Sequence, residues 1–194
     1  PPQASPRRYP RPADVLERGV DYAAVLQTSC GRIEMDLAED EAPVNVNNFV
    51  FLAREGFYDG LTFHRVVEDF VIQAGDPNSD NGVSPDGPGY DVKDELPSGS
   101  KEYVFGVVAM ANTGQADSAG SQFFIIVHQS PEGETEPAGL EPDYSIIGEV
   151  EPASYETLEQ IAGRPVKGDQ DPREPEEPVN PVYIESLEIE QSSG

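Results

Sequence analysis

The sequence predicts a mainly β domain, a closed barrel or a sandwich of short strands with only two helices. Three observations carry this. Apolar runs are short and alternate with polar residues, as in "RIEMDLAE", where Ile33, Met35 and Leu37 alternate with Glu34 and Asp36. Clusters of Gly, Pro and Asp punctuate the runs. Just two stretches show the 3.6-residue period of an amphipathic helix.

The first 20 residues, "PPQASPRRYPRPADVLERGV", are rich in Pro and Arg and lack a sustained apolar period. They are expected to be a flexible segment ahead of a domain over residues 21–190, with 191–194 as a tail. The absence of an initial Met beside such a segment leads to the expectation of a removed leader and an extracytoplasmic or cell-envelope location, with the cytoplasm as the alternative.

"YAAVLQT" and "RIEMDLAE" then read as strands around a turn at Ser29 to Gly31. A helix follows, with Pro43 in its first turn, Val46, Phe49, Val50 and Ala53 on one face, and Gly56 as its stop. Leu61 to Val67 and Phe70 to Ala74 are the next strands, ahead of a long Gly/Pro/Asp loop. Tyr103 to Ala111, Gln122 to His128 and Tyr144 to Val150 follow. A second helix spans Tyr155 to Ala162, with Leu158 and Ile161 inward and Gly163 beyond its end. "GDQDPREPEEP" reads as an exposed loop, and "VYIESLEIE" as the closing strand.

Charge and composition exclude several functions. Lys and Arg number 12 against 37 Asp and Glu, a net charge of −25. Nucleic acid would be repelled, and an anionic membrane surface is disfavoured. No apolar run approaches the roughly 18 residues that cross a bilayer. Cys30 is the single cysteine, so no internal disulfide forms, and with only His64 and His128 beside it no Cys/His metal cluster is available. Asp76, Asn78 and Asp80 suggest calcium, but Asn81 stands where the EF-hand needs Gly and Gly87 where it needs the closing Glu. No G-x-S-x-G nucleophile elbow is present.

The polar residues inside apolar runs point to chemistry. Arg65 lies among Phe63, Val66 and Val67, and Gln73 between Ile72 and Ala74. Buried unpaired, such groups are costly. Val71 and Gln73 share a strand face, as do Gln122 and Phe124. Three stretches belong together: "FHRVVEDFVIQAGD" (63–76), "MANTGQADSAGSQFFI" (110–125) and "LEPDYSIIGEV" (140–150). Over about residues 22–190 their order and spacing closely resemble the cyclophilin family of peptidyl-prolyl cis-trans isomerases.

That resemblance implies a closed antiparallel eight-stranded β-barrel capped by two α-helices. It implies that Arg65 is the catalytic arginine, with Gln73 and Gln122 beside it. Phe70, Val71, Phe124 and Leu140 match the residues that hold the proline ring, and Ala111 and Asn112 the segment that pairs with substrate backbone. Tyr144 falls where many members have His. Implied partners are proline-containing peptides or unfolded proteins, with no cofactor, and the chain is expected to be a monomer.

Four departures qualify the match. Glu68-Asp69 replaces the usual Pro-Gly before the pocket phenylalanine, and Ala74 replaces the first Gly of Gln-Gly-Gly-Asp. The drug-contacting Trp is absent and Gly139 stands in its place, so cyclosporin binding is expected to be weak. An acidic insert with Glu132, Glu134 and Glu136 precedes Leu140; together with Glu68 and Asp69 before Phe70, and Glu141 and Asp143 after Leu140, it leads to the expectation of a negative mouth to the site. The alternative function is a proline-peptide binding module or holdase with little turnover.

Overall fold

The computed structural model describes residues 8–77, 87–99, 103–128, 138–168 and 175–193. Among the described residues, eight strands form one antiparallel sheet: β1 (Val20–Thr28), β2 (Gly31–Leu37), β3 (Phe63–Val67), β4 (Val71–Ala74), β5 (Val107–Met110), β6 (Phe123–Ile126), β7 (Ile146–Val150) and β8 (Ile184–Ser193). Their spatial order is β3-β4-β6-β5-β7-β2-β1-β8. Two helices, α1 (Pro43–Arg54) and α2 (Tyr155–Ala162), pack against it.

The sheet is a half-barrel rather than the closed barrel expected from sequence. Its two edge strands, β3 and β8, meet only near an isolated bridge between Thr62 and Tyr183, flanked by Phe63 N–H to Val182 O (2.9 Å) and Ile184 N–H to Leu61 O (2.8 Å). The segment entering β8 carries Pro175, Pro178 and Pro181, which have no N–H to donate, so a continuous ladder with β3 cannot form there.

Each face of the sheet has its own apolar cluster, and alternation assigns residues between them. Ile72, Val108, Met110, Phe123, Ile125 and Ile147 join the main core with residues of both helices. Their neighbours Val71, Val107, Ala109, Phe124 and Ile126 belong to a second cluster on the other face. Every residue of β5 and β6 is therefore buried, which explains their continuous apolar sequences. The expected strand from Tyr103 begins only at Val107, because Gly106 turns the chain at φ 90°.

Helix α1 starts at Pro43 as expected, but Ala42 offers no side-chain cap. Glu95 replaces one from a distant loop, accepting from Val44 N–H (3.0 Å) and Asn45 N–H (2.9 Å). A carboxylate there satisfies otherwise unpaired donors and meets the positive end of the helix dipole. Asn48 binds Gly120 O (2.7 Å) and accepts from Tyr90 Oη (2.7 Å), so the loops at residues 90 and 120 are tied to the helix.

Residues 8–17 depart from the flexible segment expected over 1–20, while residues 1–7 lie outside the described part. Tyr9 sets its ring edge-on to Phe51 with centroids 5.0 Å apart, and its N–H donates to Pro88 O (2.8 Å). Asn47 uses both ends of its amide on this arm, accepting from Val15 N–H (2.8 Å) and donating to Ala13 O (2.8 Å). Phe51 thus lies under cover on a side of α1 that periodicity alone leaves bare.

Replacing Tyr9 by Ala is expected to destabilise the fold by about 1–2 kcal/mol, the size of a partly buried ring with one aromatic contact. Exposed Arg11→Ala should change stability by less than about 0.5 kcal/mol. Urea unfolding of both variants checks the arm: equal midpoints for the two would show that it does not dock.

Candidate active site

Strand register assembles the site. Arg65 pairs with Gln73, Gln73 with Phe124, Phe124 with Ala109, and Ala109 with Ile146, a row across five strands. Simple alternation would place Phe63 and Arg65 on the same face. A bulge intervenes, because Phe63 pairs with Ala74 while Arg65 pairs with the very next residue, Gln73. The extra residue, His64, turns the strand so that Phe63 enters the main core and Arg65 emerges on the face of the second cluster.

From Arg65 a polar relay runs inward. Its Nε–H donates to the carboxylate of Glu176, and Nη1 points to Gln73 Oε1 at 3.4 Å, a long contact. Gln73 Nε2 donates to Gln122 Oε1 (2.7 Å), and Gln122 Nε2 donates to Asp76 Oδ2 (2.9 Å). Asp76 is wholly buried. Gly75, at φ 92°, allows this approach, since a Cβ there would sit 2.5 Å from Ser121 O.

Beside the relay lies a pocket of about 210 Å³ walled by Phe70, Val71, Phe124, Leu140 and Tyr144. Phe124 and Tyr144 meet edge to face, centroids 5.2 Å apart. Fully buried Tyr103 fixes the Tyr144 backbone from both sides, donating to its carbonyl (2.7 Å) and accepting from its N–H (3.0 Å). Arg65, Gln73, Ala111 and Asn112 line both this pocket and an adjoining cavity of about 500 Å³. Of the ten residues singled out from sequence, only Gln122 is absent from the smaller pocket; it lines the larger one. Asn112 Nδ2 binds Asp143 O (2.7 Å), joining the two loops of the rim.

Asp69 occupies the left-handed region, φ 55°, at the position where the resemblance has Gly. Asp tolerates this better than most residues, and His128 Nδ1 lies 3.2 Å from its Oδ1. Glu68, Asp69, Glu141 and Asp143 are exposed. Glu132, Glu134 and Glu136 fall outside the described residues. So do Asn78 and Asp80 of the calcium-like motif; among the described residues no group of three or more His, Cys, Asp or Glu is arranged to hold a metal.

Glu176 and Tyr103 were not foreseen. Glu176 sits in the Pro- and Glu-rich stretch read as an exposed loop, and nothing local distinguishes it from Glu177. Tyr103 could be foreseen only as one more apolar strand residue.

A family model described as cyclophilin type peptidyl-prolyl cis-trans isomerase/CLD matches residues 23–189. Peptidyl-prolyl cis-trans isomerase B of Bacillus subtilis is 46% identical over 100 residues, 52% of this chain and 67% of that protein. A Helicobacter pylori peptidyl-prolyl cis-trans isomerase is 37% identical over 127 residues, 66% of this chain and 71% of that protein. The spliceosome-associated protein CWC27 homolog of Danio rerio is 36% identical over 175 residues, 90% of this chain; the chain spans only 34% of that longer protein. The crystal structure of a Cryptosporidium parvum cyclophilin type peptidyl-prolyl cis-trans isomerase superposes with a TM-score of 0.72 at 25% identity, covering 89% of this chain and 99% of that one. A second structure of it, in the presence of the dipeptide Ala-Pro, gives a TM-score of 0.71 at 25% identity, covering 88% and 99%.

His64 yields a test of the bulge. It is 2% exposed, and burial lowers its pKa from 6.5 to about 4, with Arg65 adding to the effect and hydrogen bonds to Thr62 and Gln122 opposing it. The unfolded chain takes up a proton near pH 6.5 that the folded chain refuses until about pH 4. The contribution of neutral His64 is therefore complete above pH 6.5 and lost as pH falls to about 4, roughly 3 kcal/mol in all. The stability of the wild type relative to His64→Gln should fall by that order over this window. A difference independent of pH would show that His64 is not buried neutral.

Proposed function

The chain belongs to the cyclophilin-type peptidyl-prolyl cis-trans isomerases, and we propose that it catalyses rotation about Xaa-Pro bonds in peptides and unfolded proteins. The observation that carries this is the guanidinium of Arg65 at the mouth of an apolar pocket sized for a small ring. Rotation about an amide faces a barrier of roughly 18–20 kcal/mol from C–N resonance. No covalent bond breaks, so neither a nucleophile nor a metal is required. The protein must bind the twisted amide better than either planar form.

Twisting localises a lone pair on the prolyl nitrogen. Arg65 donates to that nitrogen through N–H groups whose directions its planar fork fixes, which Lys could not match. Phe70, Val71, Phe124, Leu140 and Tyr144 grip the ring while the preceding carbonyl swings. Gln73 holds one guanidinium nitrogen, and Gln122 and Asp76 in turn hold Gln73. Ala111 and Asn112 offer backbone to the residues before the proline. On the same reading cyclosporin binds weakly, because Gly139 supplies neither an indole N–H nor its broad apolar face.

Arg65→Ala is expected to lower kcat/KM on an Xaa-Pro peptide by on the order of 100-fold, the cost of one preorganised donor. A protease-coupled assay or NMR exchange measures it. Near-wild-type turnover in the folded variant would overturn the mechanism. Binding without turnover in the wild type would favour the alternative of a binding module.

The exposed Glu68, Asp69, Glu141 and Asp143 make the mouth negative. Peptides with Lys beside the Xaa-Pro bond should have lower KM than matched peptides with Glu, and the gap should shrink with salt, since exposed charges are screened beyond about 8 Å at physiological ionic strength. Equal KM values at low salt would leave the rim without a role in substrate choice.

A further inference from the structure

Glu176 belongs to none of the motifs that carry the family likeness, yet it holds the residue on which the chemistry turns. Its carboxylate accepts from Arg65 Nε–H, and its backbone carbonyl accepts from Val66 N–H (2.8 Å), so one residue clamps two successive positions of β3. The segment that presents it is fixed in turn. Lys167 N–H donates to Glu177 O (2.9 Å), Gly168 N–H to Pro175 O (2.8 Å) and Val179 N–H to Pro165 O (2.9 Å), and Lys167 Nζ pairs with Glu177 Oε2 at 2.7 Å. Pro175 and Pro178, on either side of Glu176, restrict the backbone further.

Stability does not explain the contact with Arg65. The two side chains are 33% and 43% exposed, and ion pairs in such surroundings contribute little to folding. Orientation does explain it. A guanidinium has one N–H on Nε and two on each terminal nitrogen. Glu176 takes the Nε–H, while Gln73 is only loosely engaged at 3.4 Å. The stronger, charge-assisted restraint on the plane of the fork therefore comes from Glu176. It leaves the terminal nitrogens for the pocket.

We propose that Glu176 is a positioning residue for the isomerisation, an assignment that rests on the reading of the site as a prolyl isomerase. It aims the terminal N–H groups of Arg65 at the prolyl nitrogen and touches no substrate atom itself. No proton moves and no bond breaks in this role. Aim should matter more to the twisted amide than to the planar ground state, so the effect belongs in kcat rather than KM.

The experiment compares the wild type with Glu176→Ala, Glu176→Gln and, as a control at an exposed position of β8, Glu185→Gln, using one Xaa-Pro peptide. Glu176→Ala should lower kcat about tenfold, with KM changed less than about twofold, because small misplacements of a reacting group are costly. Its Arg65 Nε–H signal in 15N-resolved NMR should move and broaden. Glu176→Gln keeps an oxygen that accepts from Nε–H and should return kcat to within about threefold of wild type. Glu185→Gln should stay within about twofold. The assignment is overturned if Glu176→Ala turns over like wild type, if its loss appears in KM alone, or if Gln and Ala fall equally, which would mean that charge and not aim is what counts. An inactive wild type overturns the isomerase reading and this assignment with it; an active wild type beside an unaffected Glu176→Ala overturns the assignment alone.

Discussion

Strand register is the constraint on which the site depends. Successive side chains on a strand point to opposite faces, so a slip of one residue would exchange the two clusters of this sheet. Gln73 and Phe124 face the pocket together because β4 and β6 pair in the register that sets Gln73 opposite Phe124. Ile72 and Phe123, one position away, fill the core instead. Burial on both faces resists sliding of β4 against β6, since a one-residue slip would set Gln73 into the main core without its partners. The bulge at His64 is the one place where β3 breaks this rule, and it does so where Arg65 must change sides.

Once register has put the polar residues in line, charge orders them. The relay has a cation at one end, Arg65, and a buried carboxylate at the other, Asp76. Gln73 must turn its oxygen to the guanidinium, which aims its NH2 at Gln122; Gln122 must then accept with its oxygen and donate to Asp76. Reversing either amide would set donor against donor. The direction of the chain follows from its two ends, and each hydrogen bond polarises the next. A carboxylate as buried as Asp76 would be costly alone. Held by Gln122, it anchors the row that ends at Arg65.

Loops finish what the sheet begins. Tyr103 fixes Tyr144, Asn112 joins the rim loops, and Glu176 reaches the guanidinium from a proline-rich segment along the β3 edge. The edge that stays open as a ladder thereby carries a contact to Arg65. On the other side of α1, the arm at residues 8–17 and the loop at Glu95 cover and cap the helix, and Arg8 of that arm lines the larger cavity beside Arg65.

The sequence by itself determined what depends on near neighbours. Helix α2 runs from Tyr155 to Ala162 as its periodicity requires, and all eight strands lie within or overlap the apolar runs that predicted them. Arg65 and Gln73 stood out as polar groups inside apolar runs, and the pairs Val71/Gln73 and Gln122/Phe124 by a strand period of two; Phe70, Ala111, Asn112, Leu140 and Tyr144 were legible only through the resemblance of their motifs to the cyclophilin family. Tertiary structure alone decided the open seam, the bulge that re-aims Arg65, the docking of Tyr9 on Phe51 and the reach of Glu176 across 111 residues of chain to Arg65. Each of these rests on contacts between segments far apart in sequence. Local composition carries no record of such partners: Glu176 and Glu177 have the same chemistry and adjacent positions, and only the path of the folded backbone gives one of them to Arg65 and the other to Lys167.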